Sequence, residues 1–242
     1  MPSSDDLTAA PLYLELAPPA DAAAQVDHLY VFRDTGALSG RGSGRFATDL
    51  FALSVTRDVD ADGARVSLAP PRPEFTPRQT PFCGIVAGLR LASRPERLPE
   101  AQTLEQLTAR LERVWRGDDD LPLLISALDD IARQLSFALP PQTFSDRTER
   151  RKTLAQTGVS RRRLTATRRF RLLLGSLARP APQLSDLALD AGYYDQSHMA
   201  AFCRAFAGKS PGALRAQAAP RQFGHSLQDT RLKDRLRLVI NE

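Results

Sequence analysis

The spacing of apolar residues changes along the chain, from alternation to a repeat of three or four positions. Four short segments between residues 26 and 91 alternate apolar and polar side chains, which is typical of β-strands with one buried face. They are VDHLYVFRD, DLFALSVTRD, ARVSL and FCGIVAGLRL, with turn-forming clusters between them. This pattern predicts a small β-rich barrel or sandwich. Residues 1–25, rich in Pro, Ala and Asp, are predicted to be an irregular lead-in.

Two amphipathic helices are predicted next, over residues 100–116 and from about residue 121 to residue 138. Their apolar stripes consist of Leu104, Leu107, Leu111, Val114 and Trp115 in the first helix and Leu124, Leu128, Ile131 and Leu135 in the second. Such stripes suit packing on the β-rich part, and a dimer interface is the alternative that the pattern leaves open. Pro140 and Pro141 then predict a linker.

The stretch from Leu184 to Pro211 predicts two short helices joined by a tight turn at Gly192. Asp195 is placed to cap the second helix, QSHMAAFCRAF, and Gly208 is placed to end it. The apolar positions of this helix, which repeat at helical spacing, are Met199, Phe202, Cys203 and Phe206. A helix, a glycine turn and a second helix form a helix-turn-helix unit, whose second helix lies in the major groove of DNA.

A second unit of this kind is predicted earlier in the chain, in TLAQTGVSRRRL. Its turn lies at Gly158 and Ser160 caps the following helix, which we expect to continue without a break to about residue 178. At 1.5 Å per residue that helix is roughly 28 Å long. Residues 147–171 also contain ten Lys and Arg side chains. We predict that these contact DNA phosphates, and a solvated basic face is the alternative.

The distribution of charge agrees with this division. Residues 1–144 hold 14 Lys and Arg against 20 Asp and Glu, a net charge of −6. Residues 145–242 hold 19 against 8, a net charge of +11. A basic C-terminal part joined to an acidic N-terminal part indicates a nucleic-acid-binding domain attached to a domain with another role.

The string from Leu187 to Pro211, L-A-x-x-x-G-Y-x-D-Q-S-H-x-x-x-F-x-R-x-F-x-G-x-S-P, closely resembles the second helix-turn-helix of AraC/XylS-type transcriptional regulators. The segment around Gly158 resembles the first helix-turn-helix of that family, in a compressed form, because it leads directly into the connecting helix RRFRLLLGSL. Three positions depart from the family in the second unit. Ala201 stands where the family commonly has Arg, and Cys203 and Ala207 replace positions that are usually Phe.

The predicted DNA-binding residues fall into two groups. Base edges are assigned to Gln196, Ser197 and His198, since Gln suits adenine and Ser suits several bases. The remaining members, assigned to phosphates or to the helix starts, are Ser160, Arg161, Arg162, Arg163, Arg168, Arg169, Asp195, Arg204 and Lys209. We predict no catalytic residue, no metal site and no cofactor. Three histidines and two distant cysteines supply neither a nucleophile motif nor a zinc cluster, so we expect no enzyme.

The complete expectation is an α+β protein of four parts. They are a β-rich sensing or dimerisation domain at 1–95, a helical connector at 96–140, a double helix-turn-helix domain at 145–220 and a tail at 221–242 whose pattern fits a late strand or a short helix. The expected function is that of a bacterial-type, cytoplasmic transcription regulator without a membrane span. Its partners would be double-stranded DNA and a small-molecule effector, with RNA polymerase and a second copy as further candidates. The alternative is a protein-interaction module whose helix-turn-helix has lost specific DNA binding, as Ala201 suggests.

Overall fold

The computed structural model describes residues 12–35, 44–77, 82–117, 121–135, 137, 146–177, 183–218 and 235–241. The strands in these ranges are β1 (Leu12–Leu16), β2 (Val26–Thr35), β3 (Gly44–Arg45), β4 (Phe51–Asp58), β5 (Arg65–Ala69), β6 (Thr76–Pro77), β7 (Cys83–Leu91) and β8 (Leu236–Asn241). The helices are α1 (Ala101–Arg116), α2 (Leu121–Gln134), α3 (Asp146–Thr157), α4 (Arg161–Leu177), α5 (Leu184–Asp190), α6 (Gln196–Ala207) and α7 (Pro211–Ala218). The α+β class is confirmed.

Six of the strands form one antiparallel sheet in the order β5-β4-β7-β2-β1-β8. The four alternating segments of the sequence are β2, β4, β5 and β7, as predicted. The sheet is open, with β5 and β8 at its edges, so it is not a closed barrel. The irregular lead-in predicted for residues 1–25 is wrong over Leu12–Leu16, because this segment pairs with β2 as strand β1.

The end of the chain returns to this sheet. β8 pairs with β1, which decides in favour of the strand for the C-terminal tail. Arg235, directly before β8, donates from Nη1 and Nη2 to the two carboxylate oxygens of Asp129 on α2, at 2.7 and 2.6 Å. Its Nε donates to the carbonyl oxygen of Ala17 at 2.9 Å. The predicted linker at residues 140 and 141 and most of the tail lie outside the described residues.

The sheet buries one face under α1 and α2. Leu107 and Leu111 of α1 and Leu124, Leu128 and Ile131 of α2 are buried against the apolar residues of β2, β4 and β7. The stripes of both helices therefore pack on the sheet, as the first of the two alternatives predicted. Because side chains alternate along a strand, the intervening residues of β2 and β7 point to the opposite face of the sheet.

A second core lies among the C-terminal helices. It consists of residues from α4 to α7, chiefly Phe170, Leu173, Leu177, Leu187, Ala188, Met199, Cys203, Phe206 and Leu214. One buried member, Ala47, comes from the N-terminal half of the chain. It lies in residues 44–49, which together with residues 72–77 we call the ribbon. The ribbon contains the paired strands β3 and β6 and a bridge between Thr48 and Arg72.

Candidate nucleic-acid interface

The second helix-turn-helix unit consists of α5, a turn and α6. The turn contains Gly192 at φ +76°, in the left-handed region that favours glycine. The Asp195 carboxylate caps α6 by accepting a hydrogen bond from the His198 backbone N–H at 2.6 Å. Gly208, at φ +69°, ends α6, and its N–H donates to the carbonyl oxygen of Arg204. The predicted start and end of this helix are thus confirmed.

One side of α6 is fully engaged in the helical core. Met199, Cys203 and Phe206 are buried there. Phe206 makes edge contacts with Phe202 and with Phe170 of α4, at ring-centroid distances of 5.3 and 5.4 Å. The dense packing sets the rotation of α6 about its axis and decides which residues face solvent.

The opposite side of α6 is exposed and carries short side chains between polar ones. Gln196 and Ser197 are exposed at its N-terminal end, and Ala201 and Arg204 follow on the next two turns. The N-terminal residues of a recognition helix are those that reach base edges in the major groove. Because the side chain of Ala201 is short, the backbone in the middle of this face can come close to the surface of a binding partner.

His198, predicted to read bases, is used within the turn. Its Nδ1 accepts a hydrogen bond from the Tyr194 backbone N–H at 3.1 Å. Its ring also makes edge contacts with Tyr193 and Phe202, at centroid distances of 5.7 and 5.0 Å. These contacts hold the ring against the protein, so His198 supports the start of α6 and with it the position of Gln196.

The first helix-turn-helix unit consists of α3, a turn at Gly158 and α4. Gly158 lies at φ +70°, and the buried Val159 follows it. Ser160 caps α4 through its hydroxyl oxygen, which accepts from the Arg163 N–H at 3.3 Å. α4 runs unbroken over 17 residues to Leu177, which confirms the single long helix. The compressed unit therefore has no separate connecting helix.

The arginines of α4 are divided between solvent and protein. Arg161, Arg162 and Arg168 are exposed, and Arg161 pairs with Glu149 of α3 at 3.3 Å. Arg169 is half-buried, with its guanidinium carbon 5.7 Å from the ring centroid of Tyr193. Lys209, the single lysine of the predicted set, is half-buried just after α6.

Arg163, predicted to contact DNA, points instead towards the ribbon. Its Nε donates to the carbonyl oxygen of Pro73 at 2.9 Å, and its Nη2 lies 3.3 Å from Glu74 Oε1. The guanidinium carbon also lies 4.5 Å from the ring centroid of Phe206. These three contacts occupy the side chain, so we assign it to the junction between α4 and the ribbon.

The ribbon also contacts the end of α6 through its backbone. The Ala47 N–H donates to the Phe206 carbonyl oxygen at 2.8 Å, and the Phe75 N–H donates to the Ala205 carbonyl oxygen at 3.1 Å. These carbonyls belong to the last turn of α6, which has no intrahelical donors for them. A segment of the N-terminal half thus completes the C-terminal end of α6, an arrangement that no local signal in the sequence indicated.

Tyr194 is a second feature that the sequence pattern did not predict. Its side chain is 85% exposed, although it is a large aromatic residue, and it lies directly before the cap of α6. The only signal for it was its place in the turn, beside Gln196. An aromatic side chain at this position can pack on a sugar or a base edge of a bound duplex.

Neither cysteine is an activated thiol. Cys203 is buried in the helical core, and burial raises the pKa of its thiol to about 11. Burial and the nearby Asp34 raise the pKa of Cys83 as well. In the described part of the chain, no group of three His, Cys, Asp or Glu side chains is arranged to hold a metal ion. No helix among the same residues is long and apolar enough to span a membrane.

Comparison with known proteins gives one family match. Residues 143–217, which include α3 to α6 and all but the last residue of α7, match a family model described as a helix-turn-helix domain, of the AraC type. This is a family of DNA-binding domains and not of enzymes. No curated protein matches the chain.

Solved structures of ToxT from Vibrio cholerae are similar at a low level. ToxT from strain O395 is 10% identical, with a TM-score of 0.36 over 85% of this chain and 96% of that one. Wild-type ToxT from strain SCE256 with a bound unsaturated fatty acid is also 10% identical, with a TM-score of 0.34 over 85% and 95%. At these scores the likeness carries no conclusion about this chain.

Proposed function

Because residues 143–217 match an AraC-type helix-turn-helix model, we propose that the protein is a sequence-specific DNA-binding transcription regulator. The observation that carries the proposal is the exposed face of α6. Ser197 and Arg204 are exposed on the side away from the buried apolar residues, and Gln196 is exposed at the N-terminal end of the helix. Such a regulator acts on the chromosome, so the proposed location is the cytoplasm.

The proposed reading of DNA begins at the N-terminal end of α6. Gln196 can form two hydrogen bonds to an adenine, and the Ser197 hydroxyl can bond to several bases. Ala201 can contact a thymine methyl group, as short apolar side chains do in the major groove. Arg204, two turns along the helix, is placed for a phosphate. Asp195 and His198 act on this reading indirectly, by holding the start of α6.

The proposed phosphate contacts of the first unit come from Ser160, Arg161, Arg162 and Arg168 at the exposed side of α4. Arg169 and Lys209, which are half-buried, would contribute from the edges of this surface. Together with the net charge of +11 on residues 145–242, these side chains supply the attraction to DNA that depends on salt.

We assign a regulatory role to the N-terminal half through its contacts with the helices. The ribbon bonds to the last turn of α6, and the ribbon and the sheet both bond to arginines of α4. A ligand or a second copy that favours one arrangement of these contacts shifts the population of DNA-binding conformations. RNA polymerase would be the further partner of an activator.

The proposal is tested by titrating the full chain into a fluorescent pool of random-sequence duplexes at several salt concentrations and sequencing the bound fraction. A regulator gives an enriched motif and a steep fall in affinity with salt, about one log unit per log unit of salt for each phosphate contacted. Salt-dependent binding without enrichment contradicts sequence-specific reading. An absence of binding at low salt supports the alternative, a protein-interaction module.

Three variants sharpen this experiment. Gln196→Ala is expected to lose about 1–3 kcal/mol of binding to the enriched motif and to relax the preference at one base pair. Arg204→Ala is expected to weaken binding to all sequences and to lower the salt slope by about one. Gln134→Ala, an exposed glutamine at the end of α2, is the matched control and should leave both quantities unchanged.

A further inference from the structure

His28 of β2 is buried on the face of the sheet opposite α1 and α2, where it is only 6% exposed. Its Nδ1 lies 2.8 Å from Oδ2 of the Asp27 carboxylate. Because an ionised carboxylate only accepts hydrogen bonds, the proton of the neutral ring is on Nδ1 and Nε2 carries none. Nε2 is buried without a hydrogen-bond partner, and Oε1 of Glu15 on β1 lies 3.6 Å from it. In the neutral ring, therefore, one acceptor faces another.

A proton on Nε2 turns this pair of acceptors into a donor and an acceptor. An unperturbed imidazole takes up a proton at about pH 6.5. Once protonated, the His28 ring donates from Nε2 towards Glu15, with opposite charges on the two groups. The Tyr13 hydroxyl donates to the same Glu15 oxygen at 2.5 Å and holds the carboxylate beside the ring. The geometry of an ion pair is thus in place before the proton is bound.

Asp27 is also a link between the sheet and α4. Nη1 of Arg171 donates to both oxygens of this carboxylate, to Oδ1 at 3.0 Å and to Oδ2 at 3.2 Å. Oδ2 therefore accepts from the His28 ring and from Arg171 at the same time. With a neutral ring, the guanidinium supplies the positive charge in this arrangement. With a protonated ring, two cations share one carboxylate, and their charges repel each other.

The other charged groups around this site come from β7 and α4. Arg90 of β7 is the cross-strand partner of His28, but its guanidinium carbon lies over the Tyr30 ring, 4.7 Å from the centroid. Arg90 and burial oppose a charge on the His28 ring, and the two carboxylates at 2.8 and 3.6 Å favour it. Arg171 has a further partner, because its Nε donates to Asp49 at 3.0 Å. α4 therefore stays attached through Asp49 when its contact with the sheet weakens.

We propose that His28 is a pH-sensitive switch at the junction between the sheet and α4. Uptake of a proton at Nε2 pairs the ring with Glu15 and places a second cation on Asp27, so that Asp27 holds Arg171 less tightly. Release of the proton above neutral pH restores that hold. The coupling is reciprocal, so the ring binds its proton more tightly when Arg171 is removed. An effect on DNA binding rests on the function proposed above, and the effect on the junction does not.

The test measures the cost of Arg171→Gln in the full chain at two pH values. Thermal midpoints of the wild type and the variant at pH 5.5 and pH 8 give the loss that the substitution causes. We expect this loss to be smaller at pH 5.5 by about 2–4 °C, because the protonated ring has already weakened the contact between Arg171 and Asp27. An equal or larger loss at pH 5.5 overturns the proposal.

Two further variants locate the source of the pH dependence. In the His28→Gln background, which has no ring to protonate, Arg171→Gln should cost the same at both pH values. Arg133→Gln is the matched control, because its ion pairs with Asp21 and Asp130 are exposed and distant in sequence from the ring. Its cost in the wild-type background should not change with pH. A pH dependence that persists in His28→Gln assigns the effect to another group and overturns the proposal.

A second measurement follows the ring directly and does not require His28→Gln to fold. The chain has three histidines, so each ring can be followed by NMR as the pH changes. We expect the titration midpoint of His28 to fall by at least about 0.5 pH unit in Glu15→Gln and to rise in Arg171→Gln. Glu105→Gln, an exposed glutamate of α1, is the matched control and should leave the midpoint unchanged. A midpoint that moves in neither of the first two variants overturns the proposal.

The last measurement repeats the DNA titration at pH 5.5 and pH 8 with the wild type and with His28→Gln, and the difference between them isolates this ring. We expect the proton to change DNA affinity at least about twofold, in the same direction as Arg171→Gln does at pH 8, since both weaken one contact. Opposite directions overturn the proposal. A pH-dependent junction in a chain without DNA affinity supports the switch and contradicts the regulator. DNA binding by a chain whose junction ignores pH does the reverse.

Discussion

Arg171 of α4 and Asp49, which precedes β4, form a hydrogen-bonded ion pair with Nε and Oδ1 3.0 Å apart. The same guanidinium donates from Nη1 to the Asp27 carboxylate of β2 at 3.0 Å. Burial alone would lower the pKa of Arg171, but the hydrogen bonds and charges of Asp49 and Asp27 outweigh it and raise that pKa. Arg171, predicted to contact phosphates, thus joins the long helix α4 to the ribbon through Asp49 and to the sheet through Asp27.

Arg171→Gln is expected to lower the free energy of unfolding by about 1.5–3 kcal/mol, because it removes the guanidinium that pairs with the partly buried carboxylates of Asp49 and Asp27. Urea denaturation followed by circular dichroism measures the change. The control is Arg133→Gln, whose ion pairs with Asp21 and Asp130 are exposed and should be worth less than about 1 kcal/mol. Equal losses in the two variants would show that Arg171 is no stronger a link than a surface pair.

Gly208→Ala tests the contact between α6 and the ribbon. A Cβ atom at this position would lie 2.8 Å from the Phe75 ring, so the ring must move away from the end of α6. The control is Gly158→Ala, which has a similar φ of +70° and no atom within 4 Å of the added Cβ. Both variants bear the cost of a left-handed residue, about 1–2 kcal/mol.

We expect the free energy of unfolding of Gly208→Ala to fall by about 1 kcal/mol more than that of Gly158→Ala, because the Phe75 ring is displaced. The midpoints of urea denaturation compare the two variants directly. If both lose the same free energy, Phe75 gives way without cost and the contact contributes little to stability.

Asp195→Ala and His198→Ala separate support of α6 from the reading of bases. Each should destabilise the protein by about 1 kcal/mol, the first by loss of a helix cap and the second by loss of a turn hydrogen bond. Asp195→Asn should retain most of the stability, since the amide oxygen can still accept. In selection from a random duplex pool, we expect His198→Ala to weaken binding without changing the preferred bases. A changed preference at one base pair would return His198 to the group that reads DNA.

Tyr193→Phe is expected to remove part of the alkaline destabilisation of the protein. The Tyr193 hydroxyl is buried without a hydrogen-bond partner, and burial raises its pKa from the ordinary value of 10 to about 12. Between pH 10 and pH 12 the unfolded chain loses this proton while the folded chain keeps it, so unfolding becomes easier as the pH rises. Below pH 10 the Tyr193 hydroxyl keeps its proton in both states, so its contribution to the free energy of unfolding does not change with pH.

The measurement is the thermal midpoint of both proteins at pH 8 and pH 11. At pH 8 the variant should be as stable as the wild type or slightly more stable, because no hydrogen bond is lost. At pH 11 the thermal midpoint of the variant should exceed that of the wild type by more than it does at pH 8. A difference that is the same at both values would show that Tyr193 titrates normally in the folded state.

The helix-turn-helix units were predictable because their determinants are local. Gly158 and Gly192 occupy left-handed turns, Ser160 and Asp195 accept hydrogen bonds from the next turn, and the apolar spacing selects the buried side of each helix. All of these lie within a few residues of the structure that they specify. The strands β2, β4, β5 and β7 followed from alternation for the same reason.

The local pattern of residues therefore specified the helices, the strands and the chemical difference between the two halves of the chain. The partners of the charged and polar side chains were set by the fold instead. Arg163 and Arg171 belong to a helix whose basic composition is typical of phosphate binding. Their partners Glu74 and Asp49 nevertheless come from more than 80 residues away in the sequence. The pairing of a charge depends on which distant segments the fold places beside it, and that information is not contained in the local pattern.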